Sequence, residues 1–303
     1  MSPRAVILFA ALALAWGIPY LLIKVAVTEL DPAVVVFWRS LIGGLVLLPL
    51  ALARRQVLPV LRRWRPLLAY TVIEIVLPWY FLSSAEQRLP SSTAGLLLAA
   101  VPLVGVAVAF LSGRPERFSG RNWLGVLLGM LGVAALVGLD VAGSDLGAVA
   151  EVAVVVVGYA IGPAILVRWM SDLPGTGVVT VSLLLAALIY VPIVPLTGSW
   201  PTQWPSGEAV SSVIVLGVVC SAVAFLLMFA LIAEIGPVRT TTITYVNPAV
   251  AIVAGALVLG ERVTVWTILG FALVLAGSFL VTRKRRDAPP AGLTPAAVET
   301  APG

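Results

Sequence analysis

Residues 113–132, GRPERFSGRNWLGVLLGMLG, are echoed at 259–277 by LGERVTVWTILGFALVLAG. Glu116-Arg117, Ser119, Leu124, Gly125, Leu128 and Gly132 return 145 residues later as Glu261-Arg262, Thr264, Leu269, Gly270, Leu273 and Gly277. Pro102 and Pro248 also correspond, with one residue of slippage. A period near half of a 303-residue chain is far longer than a solenoid repeat and marks a duplicated unit. The nature of that unit decides the fold.

The chain is 60% hydrophobic and 11% charged, with a mean hydropathy of +1.09. A soluble surface needs about a quarter charged residues, so lipid is the solvent for most of this chain. Ten apolar segments, each near the ~20 residues that cross a hydrocarbon core, follow one another. They are 5–27, 32–53, 66–85, 92–112, 122–140, 146–168, 176–197, 209–233, 238–258 and 264–282. Backbone in lipid must bond to itself, and unbroken apolar runs of this length do so as helices. The first run is too long for a cleaved signal peptide, and further spans follow it.

The expected fold is therefore an all-α integral membrane protein of ten transmembrane helices. Its units are 1–142 and 143–282, followed by a Pro/Ala-rich disordered tail at 283–303. Five spans per unit is an odd number, so the two copies enter the membrane in opposite senses. Inverted repeats of this kind are an architecture of secondary transporters, with substrate held near the midplane between the repeats.

Charge placement fixes an orientation. With the N-terminus cytoplasmic, fifteen of the 19 Lys and Arg fall inside. Lys24, Arg88 and Arg262 fall outside, and Arg39 lies within a span. That asymmetry puts both termini in the cytoplasm of a cell-membrane protein. The inner clusters touch anionic headgroups rather than nucleic acid, because they sit in short loops between spans. Cys220 is the single cysteine and there is no histidine. Intrachain disulfides, Cys/His zinc sites and histidine acid–base chemistry are thereby excluded, and no metal or cofactor is expected.

Three stretches, AWGIPYLLIK (15–24), FWRSLIGGLVLLPL (37–50) and LGERVTVWTILG (259–270), resemble the EamA-type ten-helix members of the drug/metabolite transporter superfamily. The resemblance rests on Trp16-Gly17, Lys24, Arg39, Pro248 and Gly-Glu-Arg, and it covers about residues 5–282. The first repeat departs from the pattern, since LSGRPER carries one extra residue and an inserted Arg-Pro before its Glu. The resemblance implies a membrane carrier, often an exporter of amino acids, drugs or metabolites, and leaves the solute open.

Glu74, in YTVIEIVLPWYF (70–81), is the outstanding candidate. It lies about eleven residues, roughly 16 Å, from the end of its span. A carboxylate at that depth costs about 3 kcal/mol or more, so it faces the bundle interior or a water-filled cavity. Helical spacing puts Tyr70, Thr71, Pro78 and Phe81 on its side. Glu74 could bind a substrate cation or a coupling proton, or it could be a structural carboxylate held by an Arg or a hydroxyl. Arg39, roughly 10 Å deep, is placed to pair with it or to snorkel outward. Trp16, Tyr159, Tyr245 and Asn247 are aromatic or amide groups at membrane depth that suit a cavity for organic solutes.

The remaining candidates have simpler readings. Lys24 lies near a helix end and snorkels. Trp79 and Tyr80 lie close enough to the boundary to belong to an interfacial belt. Glu151 sits where the interface hydrates it. Ser119 and Thr264 look like helix N-caps after the Glu-Arg turns. Pro102 and Pro248 are matched interruptions that point to the transport site.

The function expected is alternating-access transport of a small organic metabolite or drug-like solute across the membrane, read as export. No phosphate-binding loop is present, so coupling would come from a proton or ion gradient or from exchange. The alternatives are a multispan scaffold or pore and an integral-membrane enzyme. An enzyme is not expected, because no cluster of catalytic groups gathers at one interface.

Overall fold

The computed structural model describes residues 2–111, 120–135, 145–236, 240 and 242–282. Glu116-Arg117, the Ser119 cap and the tail 283–303 lie outside them. Regular structure among the described residues is helical throughout. Six helices are long and apolar enough to cross a membrane. They are α1 (Pro3–Ala26), α2 (Pro32–Ala53), α3 (Trp64–Arg88), α6 (Leu146–Trp169), α7 (Gly175–Leu196) and α8 (Gly207–Ile235). Four apolar helices are shorter: α4 (Ser91–Gly105), α5 (Gly120–Ala135), α9 (Ile243–Val258) and α10 (Val265–Thr282).

The starts of these helices follow from local chemistry. Ser2, Asp31, Asp145 and Ser206 each accept a main-chain N–H two or three residues on, as N-caps do. Pro3 and Pro32 occupy first-turn positions, where a missing N–H costs nothing. The expected cap at Thr264 is present, its Oγ1 accepting from Trp266 and Thr267 at 3.1 Å.

Contacts between turns show that successive helices alternate in direction. Ser2 meets Glu234, and Arg63 meets Asp172, at the end that carries the N-terminus. At the far end, Lys24 meets Glu86 and Leu89, Ser206 meets Glu29, Arg88 meets Asp145, and Glu261 meets Ser91 and Ser92.

Three pairs of helices five apart in order, α2–α7, α4–α9 and α5–α10, are partners. In the α5–α10 crossing, a Cβ built on Gly277 would lie 2.5 Å from Gly125 O and Gly129 N, and one on Gly132 would lie 2.8 Å from Gly270 O. These glycines bring two backbones into contact, as small residues do in lipid. Gly44 packs against Leu184 in the α2–α7 pair, and Gly95 against Ala251 in the α4–α9 pair. α1 packs on α8 and α3 on α6, so each of these pairs maps onto the other when the halves exchange.

Candidate functional site

Both α3 and α8 change their hydrogen bonding midway. Thr71–Val76 and Val218–Val223 are π-helical turns, 147 residues apart. Leu77 N–H donates to Val72 O, and Ala224 N–H to Val219 O, each five residues back. In α3 the cause is Pro78, which lacks the N–H that the Glu74 carbonyl would take in an α-helix. Side chains satisfy carbonyls at both turns. The Tyr190 hydroxyl donates to Val76 O at 2.9 Å, and the Ser221 hydroxyl to Leu216 O at 2.9 Å. Single π-turns inside α-helices are often functional sites. The matched interruptions thus occur in the third helix of each half. The two prolines behave differently. A 3₁₀ turn, Leu98–Ala100, precedes Pro102, whereas Pro248 sits within a continuous α9.

Glu74 lies inside the first π-turn and is partly accessible, but its Oε2 is buried without a hydrogen-bond partner in the protein. It packs on α6 where Gly158 and Gly162 leave room. A Cβ on Gly158 would stand 2.5 Å from Ile73 O, and one on Gly162 would overlap the Glu74 carboxylate. Buried Tyr70 and partly buried Tyr159 are its electrostatic neighbours. The neighbouring Thr71 hydroxyl is also buried without a partner.

Arg39 does not pair with Glu74. Its guanidinium lies 3.7 Å above the Trp79 ring, and its Nε donates to Ser221 Oγ at 3.2 Å. Glu74 turns toward α6, whereas Arg39 comes from α2 and faces α8, which explains the separation. Arg39 instead spans the two interruptions, since Trp79 follows the first π-turn and Ser221 belongs to the second. Trp79 is accordingly buried under the cation rather than part of an interfacial belt.

Trp16, Tyr245 and Asn247 belong to the α1–α8–α9 side. Trp16 meets Phe225 edge to face at 5.8 Å, and Phe225 stacks on Phe229 at 6.5 Å. The Tyr245 hydroxyl donates to Ser278 O on α10 at 3.3 Å. Asn247 Oδ1 is buried without a partner. The structure therefore unites Tyr70, Glu74 and Tyr159, sets Arg39 beside them across Trp79, and holds the other three apart.

Two expectations at the far end change. Lys24 does not snorkel: its Nζ donates to Glu86 O at 2.6 Å and Leu89 O at 2.9 Å. Glu151 pairs with Arg88 at 2.6 Å. Glu261 reaches across the halves: its carboxylate accepts from the Ser91 and Ser92 N–H groups at 2.7 and 3.0 Å. Burial raises its pKa, and the hydrogen bonds from Ser92 and Ser91 outweigh that, holding it below the usual range. Sequence reasoning missed Glu86, which is fully buried with both carboxyl oxygens unpartnered. Its position near a helix end, in SSAEQR, gave it the look of an interfacial residue. Among the described residues no cluster of three or more Cys, Asp or Glu gathers that could hold a metal ion.

The family model described as the EamA-like transporter family matches residues 3–138 and again residues 148–283. The chain belongs to the EamA-like transporter family. As an EamA-like protein it is similar to the uncharacterized inner membrane transporter YedA of Escherichia coli K12, at 30% identity over 292 residues. That alignment covers 92% of this chain and 93% of the relative. The uncharacterized transporter YvbV of Bacillus subtilis 168 is 24% identical, with 93% of each chain covered. A solved crystal structure 23% identical in sequence shares the fold, with a TM-score of 0.65 over 91% of this chain and 95% of its own.

Proposed function

We propose that this EamA-like protein is a secondary transporter that exports a small organic metabolite or drug-like solute by alternating access. In this reading all ten apolar helices cross an inner membrane, both termini are cytoplasmic, and the halves are inverted five-helix repeats. The alternating helix directions and the pairing of helices five apart support the inversion. The membrane assignment draws on YedA, whose name places it in an inner membrane.

The observation that carries the mechanism is Glu74 itself, a carboxylate in an interrupted helix with one buried oxygen unpartnered. Such a group binds a substrate cation or a proton when the site faces one side and releases it when the site faces the other. Tyr70 and Tyr159 supply ring surface beside it for an organic solute. Trp16, Tyr245 and Asn247 form the opposing wall, and Arg39 fixes the spacing between the two interrupted helices.

The test is transport by the reconstituted protein, using a solute found by thermal-shift screening. Glu74→Gln at matched membrane levels is expected to lose transport or its pH dependence. Unchanged transport with unchanged pH dependence would refute the role of Glu74.

A further inference from the structure

Glu86 lies twelve residues beyond Glu74, roughly 18 Å along α3. Its side chain is fully buried and neither carboxyl oxygen has a partner in the protein. Yet the Lys24 ammonium is bonded to the main-chain carbonyl of the same residue, and to Leu89 O. An ionised carboxylate buried beside an ammonium would accept from it, because an unpaired buried charge is far costlier than a shifted lysine rotamer. The observed arrangement therefore suits a neutral, protonated Glu86. The Ser91 hydroxyl, just beyond the turn, is also buried without a partner.

We propose that Glu86 is a second proton-binding site, and that loss of its proton draws the Lys24 ammonium off the Glu86 and Leu89 carbonyls at the C-terminal end of α3 and opens the far end of the bundle. The proton leaves to solvent at that end and the pair Glu86–Lys24 forms in its place. The charged and titratable groups facing Glu86 are Lys24 and Tyr20 from α1, Arg39 from α2, Tyr159 from α6, and Glu261 from the turn before α10. Arg88, on its own helix, is engaged by Asp145 and Glu151. Lys24 alone among the cations already reaches the Glu86 main chain, so it is the group that moves. The same corner carries the Glu261 cap on α4, which joins the second half to the first. Opening there would be the outward-facing step, and this consequence rests on the transporter reading.

The experiment needs no substrate, so its outcome is independent of that reading. Amide hydrogen exchange of residues 86–97 is followed across the neutral pH range in the full chain, corrected for the intrinsic base-catalysed rate. In wild type the corrected rate should rise by up to about tenfold per pH unit as one proton is lost. Glu86→Gln should stay protected at every pH, and Lys24→Met should exchange fast at every pH. Glu86→Asp, which keeps the acid, should restore the slope and controls for misfolding. An infrared carboxylic-acid band should disappear in Glu86→Gln and persist in Glu74→Gln. A flat wild-type profile, or a slope retained in Glu86→Gln, would overturn the proposal.

Discussion

Replacing Glu74 by Gln separates two accounts of the buried charges by the size of a stability change. If Glu74 were paired with Arg39, the substitution would strand a buried guanidinium at a cost of about 3–5 kcal/mol. At about 2–4 °C per kcal/mol for a chain of this order of size, Tm would fall by about 6–20 °C. The structure predicts otherwise. Arg39 is held by the Trp79 face at 3.7 Å and by Ser221 at 3.2 Å, and neither contact involves Glu74. Gln has the same shape, so it keeps the packing on Gly162 and exchanges one unpartnered buried atom for another. The expected change is within about 1 kcal/mol, or about 3 °C. Thermal unfolding of the detergent-purified protein, read by tryptophan fluorescence, measures it. Arg39→Met should itself be costly, losing a desolvated cation–π contact of about 2 kcal/mol together with its hydrogen bond. The double variant should equal the sum of the singles to within about 0.5 kcal/mol. A large drop for Glu74→Gln, with strong coupling to Arg39→Met, would refute the geometry.

Gly277→Ala should destabilise by about 1–3 kcal/mol, because its Cβ meets only backbone of α5 and the helices must part. Gly105→Ala, whose Cβ meets nothing within 4 Å, should be neutral or stabilising in the same thermal assay. Glu261→Gln should speed hydrogen exchange at Ser91 and Ser92 about tenfold or more, since one amide oxygen replaces two carboxylate acceptors. The pH sign of that cap follows from a carboxyl held below its usual range. Its stabilisation is complete above the ordinary glutamate pKa and is lost as pH falls through the lower, folded value, so wild-type protection at Ser91 and Ser92 should fail only in acid.

Much of the architecture was legible in the chain. Apolar runs specify helices because lipid offers no partner for backbone, and the matched Leu/Gly pattern of 113–132 and 259–277 identified two copies of one unit. The repeated Gly125 and Gly132 lie where α5 meets α10. The depth of Glu74 and its company with Tyr70 also follow from spacing along one helix. The partner of Arg39 does not. Distance along the membrane normal brings Arg39 and Glu74 near in height, but the azimuth of α2 against α3 and α8 turns the guanidinium onto Trp79 and Ser221. Lys24 misled in the same way, since proximity to a helix end looks like exposure until neighbouring helices close over it.

The sequence by itself determined that this is a duplicated helical membrane protein with a carboxylate deep in its third span. It could do so because hydropathy and internal repetition are properties of the chain read in order. Only the tertiary structure decided which charges meet, where the two π-turns lie relative to one another, and that Glu261 of one half caps a helix of the other. Those depend on side-chain direction across helices distant in sequence, and no periodicity along a single helix encodes them.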